Sequence, residues 1–141
     1  MTHQAHLDAG DARLAYSRAG NGPPVVFIQG VGVHGHAWQP QVEAIAKHYT
    51  CLWFDNRGVG ASESRAGALS VAQLAADVIA LIAHQGWTSA HLVGHSLGGL
   101  IAQRVALSER QKVRSLGLLC TFARGCDAGA SARMAWIADS S

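Results

Sequence analysis

Residues 94–99 read Gly-His-Ser-Leu-Gly-Gly, with an apolar run before them and an amphipathic run after them. A serine framed this way, G-x-S-x-G, marks a sharp strand-to-helix turn that lifts its hydroxyl clear of a sheet. The glycines make the turn possible. Side chains at Gly94 and Gly98 would collide where strand and helix run closest, and Gly99 lets the first helical turn pack tightly. The turn also strains the backbone at Ser96, as reactive positions often are. No histidine follows His95, so nothing downstream of Ser96 offers an imidazole.

The rest of the chain supplies the strands and helices that this turn demands. The first twenty residues alternate weakly around Gly10-Asp11, with Leu14, Tyr16 and His6 as candidates for one side, which predicts an antiparallel hairpin at a sheet edge. After the break at Asn21-Gly22-Pro23-Pro24, Val25–Ile28 is a continuous apolar run suited to a strand covered on both faces. Pro40–Tyr49 carries Val42, Ile45 and Ala46 at helical spacing, and Thr50–Phe54 reads as another buried strand. Ser70 is a good N-cap for a helix with Val71, Leu74, Val78, Leu81 and Ile82 on one stripe, closed by Gly86. Ala90–Val93 and Val113–Leu119 read as strands on either side of a helix over Leu97–Ser108.

Strands alternating with helices predict an α/β fold: a mostly parallel sheet with an antiparallel N-terminal edge and helices on its faces. From Thr121 the pattern decays. Residues 121–141 are rich in Ala, Gly and Ser, with Met134, Trp136 and Ile137 as a weak helical stripe. We divide the chain into a core over 1–120 and a segment over 121–141 that is the start of a cap or a frayed end.

Bulk properties narrow the partners. A length of 141 residues suits one domain, and 49% hydrophobic against 14% charged residues points to much buried sheet. The net charge of +2 comes from scattered Lys and Arg with no basic stripe, so neither nucleic acid nor a membrane surface is implied, and a small-molecule substrate is expected. There is no apolar leader, and no stretch reaches the roughly 18 apolar residues of a membrane span, so the expected location is cytoplasmic. Cys51, Cys120 and Cys126 show no C-x-x-C spacing, which indicates neither a disulfide framework nor a zinc site. Cys51 reads as core and Cys120 as a passive thiol at a strand end. His34 and His36 form an H-x-H pair without a third ligand and read as solvent-facing.

Gln29-Gly30, Trp38, the segment Asp55-Asn56-Arg57-Gly58-Val59-Gly60-Ala61-Ser62 and the serine turn occur in an order that resembles the α/β-hydrolase superfamily as far as Leu119. The D-x-R-G-x-G-x-S segment is similar to that of its esterase, enol-lactonase and perhydrolase-like members. The resemblance implies a serine hydrolase of small ester, thioester or lactone substrates that needs no cofactor or metal. Ser96 would be the nucleophile, with the backbone N–H groups of Leu97 and Val31 as the oxyanion hole. Gln29 stands where the family commonly has His, which leaves the backbone donor in place. A serine at the turn argues against the dehalogenase and epoxide-hydrolase branches, which carry Asp there. Asp55 and Arg57 are expected to brace loops.

Gln29, Gly30, Trp38 and His95 are candidates for substrate contact. For Gln29 the alternative is loop bracing, for Trp38 packing of the first helix, and for His95 a wall or packing role. In the family the acid and the histidine follow later strands, so the chain resembles the N-terminal half of the fold, an incomplete core of strands one to six. Its 113–119 strand would then be an exposed edge open to self-association or to a complementing C-terminal half. The alternatives in function are a non-catalytic small-molecule-binding module and an acyltransferase or perhydrolase using the same residues.

Overall fold

The computed structural model describes residues 3–123. Its sheet contains β1 (Ala5–Asp8), β2 (Ala12–Ala19), β3 (Pro24–Ile28), β4 (Thr50–Phe54), β5 (Glu63–Ser64), β6 (Ala90–His95) and β7 (Val113–Leu119). The order is β1-β2-β4-β3-β6-β7, with the two-residue β5 paired to β2. β3, β4, β6 and β7 run parallel, while β1, β2 and β5 form the antiparallel side. The fold is thus α/β, with a mostly parallel sheet and an antiparallel N-terminal edge.

Every residue of β3 and β4 is buried, as their unbroken apolar runs require. Alternate side chains enter two cores. Val26, Ile28, Leu52 and Phe54 pack under α2 (Val71–His84) and α3 (Leu97–Ser108). Val25, Phe27, Cys51 and Trp53 pack with Trp38 and Val42 at the start of α1 (Gln39–Ile45) on the opposite face. Burial pushes the Cys51 thiol above its usual range, as suits a core cysteine.

α2 is fixed at both ends by local chemistry. The Ser70 hydroxyl accepts from the Gln73 backbone N–H at 3.1 Å, and the Gln73 side chain accepts from the Ser70 N–H at 2.9 Å. This is a reciprocal capping box. At the other end Gly86 takes φ +74°, Gly86 N–H donates to Ala83 O at 2.9 Å, and Trp87 N–H donates to Ile82 O at 3.2 Å. Those two bonds form a Schellman motif, which needs the left-handed residue that glycine supplies.

Three details differ from the sequence reading. His6 faces solvent: it pairs with Ala15, whereas Leu7 pairs with the buried Leu14, so strict alternation puts His6 on the other side from Leu14 and Tyr16. α1 ends at Ile45 instead of Tyr49. The backbone of Gly20 and Gly22 lies against the carbonyls of Ala46, His48 and Tyr49, and this contact folds the chain into a turn before β4. β5 carries no apolar run or period and exists only through its pairing with Ala12 and Arg13.

β7 pairs with β6 alone among the described residues, and Leu116, Leu118 and Leu119 are 38%, 41% and 46% exposed. The segment assigned above to a cap or frayed end lies, from 124 onward, outside the described residues. No described helix is long and apolar enough to cross a membrane. Replacing Ser70 by Ala removes one half of the capping box. Urea denaturation should show a loss of about 1 kcal/mol with an unchanged m-value.

Candidate functional site

β6 ends at His95 and α3 begins at Leu97, which leaves Ser96 alone at the turn with φ 54° and ψ −119°. Positive φ at a residue bearing a Cβ costs roughly 1–3 kcal/mol and must be imposed by surroundings. The imposing contacts are backbone to backbone. A side chain at Gly94 would overlap the Gly98 carbonyl, and one at Gly98 would overlap the Ile28 carbonyl of β3. The end of β7 adds a clasp: the Ser96 N–H donates to Leu119 O at 3.0 Å, and Thr121 Oγ1 donates to Ser96 O at 2.6 Å. Cys120, between those partners, is the other described non-glycine residue with positive φ, at 47°.

The glycine-rich loop after β3 lies against this serine. A Cβ at Gly30 would stand 3.4 Å from Ser96 Cβ and 3.8 Å from Ser96 Oγ, in van der Waals contact with the serine. Leu97 N–H opens α3, where helix donors have no partner within the helix. Neither it nor the Val31 N–H donates to a described residue. The Val31 side chain points into solvent, and the Leu97 side chain is buried.

Two cavities adjoin Gly30. One, of about 310 Å³, has Gln29, Gly30, Val33, Trp38, His95 and Leu119 in its wall. The other, of about 130 Å³ and largely apolar, has Gly30, Val31, Asn56, Leu69, Leu74 and Leu97. The four residues singled out for substrate contact therefore share the larger cavity, while Val31 and Leu97 share the smaller one. Ser96 lines neither wall directly and rests beside the glycine common to both.

Gln29 and Trp38 each do two things. Gln29 Nε2 donates to Phe54 O at 2.6 Å, tying the loop to β4, and its residue also forms cavity wall. The Trp38 ring packs on Phe27 with centroids 5.0 Å apart and closes the same cavity. His34 and His36 are exposed and lie edge to face at 5.5 Å.

The loop after β4 is stitched by charge. Asp55 accepts from Gly35 N–H at 2.8 Å and from Ala61 N–H at 3.0 Å, joining two loops. Arg57, 4% exposed, donates twice to Asp77 at 2.8 Å and twice to Asp11 at 3.0 Å. The Asp77 hydrogen bonds hold the guanidinium well above its usual range, against the effect of burial. Burial pushes the Asp77 carboxyl up, opposed by Arg57, whereas the Arg57 hydrogen bonds draw the exposed Asp11 carboxyl down.

Sequence reasoning passed over Asp77, Asn56 and Thr121. Asp77 had a signal, since it sits at the third position from Leu74 and the fourth before Leu81, inside a buried stripe where a carboxylate needs a partner. Asn56, which donates to Gln29 O at 3.4 Å, stood inside the recognised loop motif. Thr121 had none.

A serine turn at the head of a helix, facing a glycine loop across the ends of parallel strands, defines a hydrolase-type α/β domain. The family described as alpha/beta hydrolase fold matches residues 23–139, and this chain belongs to it. It is 35% identical over 119 residues to the protein named "Putative carbamate hydrolase RutD" of Azorhizobium caulinodans, covering 84% of this chain and 45% of that one. It is 32% identical over 117 residues to a soluble epoxide hydrolase of a Corynebacterium species, covering 83% of this chain and 40% of that one. Among solved structures, a hydrolase from Pseudomonas aeruginosa superposes with a TM-score of 0.82 at 34% identity, over 86% of this chain and 47% of the other. The chain spans about half the length of these relatives.

The buried and exposed halves of the Arg57 network should separate on substitution. Asp77→Asn leaves a buried guanidinium short of its counter-charge and should lower unfolding stability by about 3 kcal/mol. Asp11→Asn, at the exposed end where water screens the charge, should cost much less than Asp77→Asn in the same denaturation assay.

Proposed function

We propose that this chain carries the nucleophile and the oxyanion hole of a serine hydrolase acting on a small ester, thioester or lactone. The observation that carries the reading is the backbone of Ser96, held at φ 54° between β6 and α3 beside Gly30. Ser96 Oγ attacks the substrate carbonyl, and the N–H groups of Leu97 and Val31 receive the oxyanion, helped by the positive end of α3. A histidine and an acid from outside this chain take the serine proton and return it to the leaving group. They arrive along the exposed 113–119 edge, with a complementing C-terminal half.

The relatives named for carbamate and epoxide hydrolysis share the frame. Serine at position 96, with its hydroxyl nucleophile, favours acyl chemistry over epoxide opening. Acyl transfer and perhydrolysis use the same residues and differ in the acceptor. A binding module that keeps the pocket without turnover is the alternative outcome of the tests below.

Two measurements test the proposal. The 141-residue chain alone should show no rapid stoichiometric labelling by a fluorophosphonate in an intact-mass assay. Labelling that disappears in Ser96→Ala would place a base within this chain or a second copy, contrary to the proposal. Fused to the C-terminal half of the Pseudomonas relative, the chain should hydrolyse p-nitrophenyl acetate. Ser96→Ala should then cut kcat by about 10³-fold or more. Hydrolysis unchanged by that substitution would overturn the role of Ser96, and ligand binding without hydrolysis would favour the binding module.

A further inference from the structure

The carbonyl of Ser96 accepts two hydrogen bonds. One comes from Gly99 N–H at 3.0 Å, within the first turn of α3, and the other from Thr121 Oγ1 at 2.6 Å. The helix bond alone satisfies this carbonyl, so the threonine hydroxyl is an additional donor, and a short one. Ser96 O and the Leu97 N–H belong to one planar trans peptide and point in opposite directions. Whatever fixes the carbonyl therefore aims the N–H.

Several features keep Thr121 in this place. Ser96 N–H donates to Leu119 O at 3.0 Å, and Gln103 Nε2 donates to Phe122 O at 3.1 Å, so the head of α3 holds the chain on both sides of Thr121. Between Leu119 and Thr121 the chain turns at Cys120, whose φ of 47° is uncommon for a residue bearing a Cβ. A side chain at Gly99 would overlap that of Thr121, so this glycine makes room for a residue beyond β7. A bond that only closed the first turn of the helix would need none of these.

The peptide so held carries one of the two proposed oxyanion donors. Leu97 N–H donates to no described residue. A hydrogen bond accepted by a peptide carbonyl raises the double-bond character of its C–N bond, and the N–H of the same peptide becomes the stronger donor.

We infer that Thr121 is a positioning residue for the oxyanion hole. Its hydroxyl acts through the Ser96–Leu97 peptide, aiming and strengthening the Leu97 N–H, and touches no reacting atom. Its effect on turnover rests on the reading of Ser96 as the nucleophile. The polarised peptide is a property of the chain by itself.

Two substitutions separate the hydroxyl from its bulk. Thr121→Val keeps the shape and loses the donor, while Thr121→Ser keeps the donor. In the ¹³C,¹⁵N-labelled 141-residue chain, the Ser96 carbonyl ¹³C and Leu97 amide ¹⁵N resonances should both move upfield in Thr121→Val and return in Thr121→Ser. In the fusion with the C-terminal half of the Pseudomonas relative, Thr121→Val should lower kcat for p-nitrophenyl acetate about fivefold at unchanged KM, a fraction of what a whole oxyanion donor supplies. Thr121→Ser should restore it. A bond that only holds the fold would change the urea midpoint and leave the kcat of the folded fusion as it was.

Resonances indifferent to Thr121→Val, or a shift that Thr121→Ser fails to reverse, would overturn the inference. An active fusion whose kcat ignores Thr121→Val would also overturn it, and would leave the role of Ser96 intact. A fusion inactive in every form, beside a chain that shows the shifts and their reversal, removes the hydrolase reading and supports the polarised peptide.

Discussion

Gly98 of α3 lies so close to the Ile28 carbonyl of β3 that a side chain there would overlap it, and Gly94 of β6 meets Gly98 in the same way. At this point three backbones are in direct contact, with no side chain to act as a compressible spacer. β3 sits between β4 and β6, and it leads at once into Gln29 and Gly30. The contact therefore sets the distance between Ser96 and the glycine loop. It also holds the strained dihedral of Ser96, together with the hydrogen bonds from Ser96 N–H to Leu119 and from Thr121 to Ser96 O. A strain of roughly 1–3 kcal/mol persists only where neighbours over-determine it, and here β3, α3 and the end of β7 all do so.

Much of this was legible because its signals are local. The glycine spacing around Ser96, the Ser70 cap, the stop at Gly86 and the apolar runs of β3 and β4 each declare themselves within a few residues. What escaped is set by contacts across the chain. α1 ends early because Gly20 and Gly22 press on its C-terminal turn, and β5 exists only where β2 receives it. The Arg57 partner Asp77 lies 20 residues away, and the Ser62 hydroxyl that receives Ala15 N–H lies 47 residues from it. No window along the sequence contains such pairs. His6 was misplaced for a different reason: in a short strand of half-buried residues, alternation has two phases, and only the pairing of Leu7 with Leu14 selects one. Gln29, Gly30, Trp38 and His95 were gathered by family resemblance and loop position, since nothing periodic links them.

The loop after β4 shows how a site is walled where no sheet bonding is available. Its backbone leaves the strand ends, so its polar groups need other partners. Asp55 accepts from two loops, the Ser62 hydroxyl donates to Asp55 O at 2.7 Å, and Arg57 reaches both Asp77 on α2 and Asp11 in the β1–β2 turn. Ion pairs and hydrogen bonds do here what apolar packing does under α2 and α3. The result is a loop fixed in position while still presenting Asn56 and Val59 to the smaller cavity.

Gly30 divides the space around Ser96 into two unlike compartments. The wall toward Leu69, Leu74 and Leu97 is almost wholly apolar, whereas the wall toward Trp38 adds the polar residues Gln29, Gln41 and His95. Under the hydrolase reading a substrate carbonyl must approach Ser96 past this glycine, so the groups on its two sides fall into different surroundings. An apolar group on the substrate is drawn to the smaller compartment by exclusion from water. A side chain at position 30 would stand 3.4 Å from Ser96 Cβ and narrow both compartments together. The same bare backbone that lets the loop approach the serine thus keeps the two compartments open and distinct.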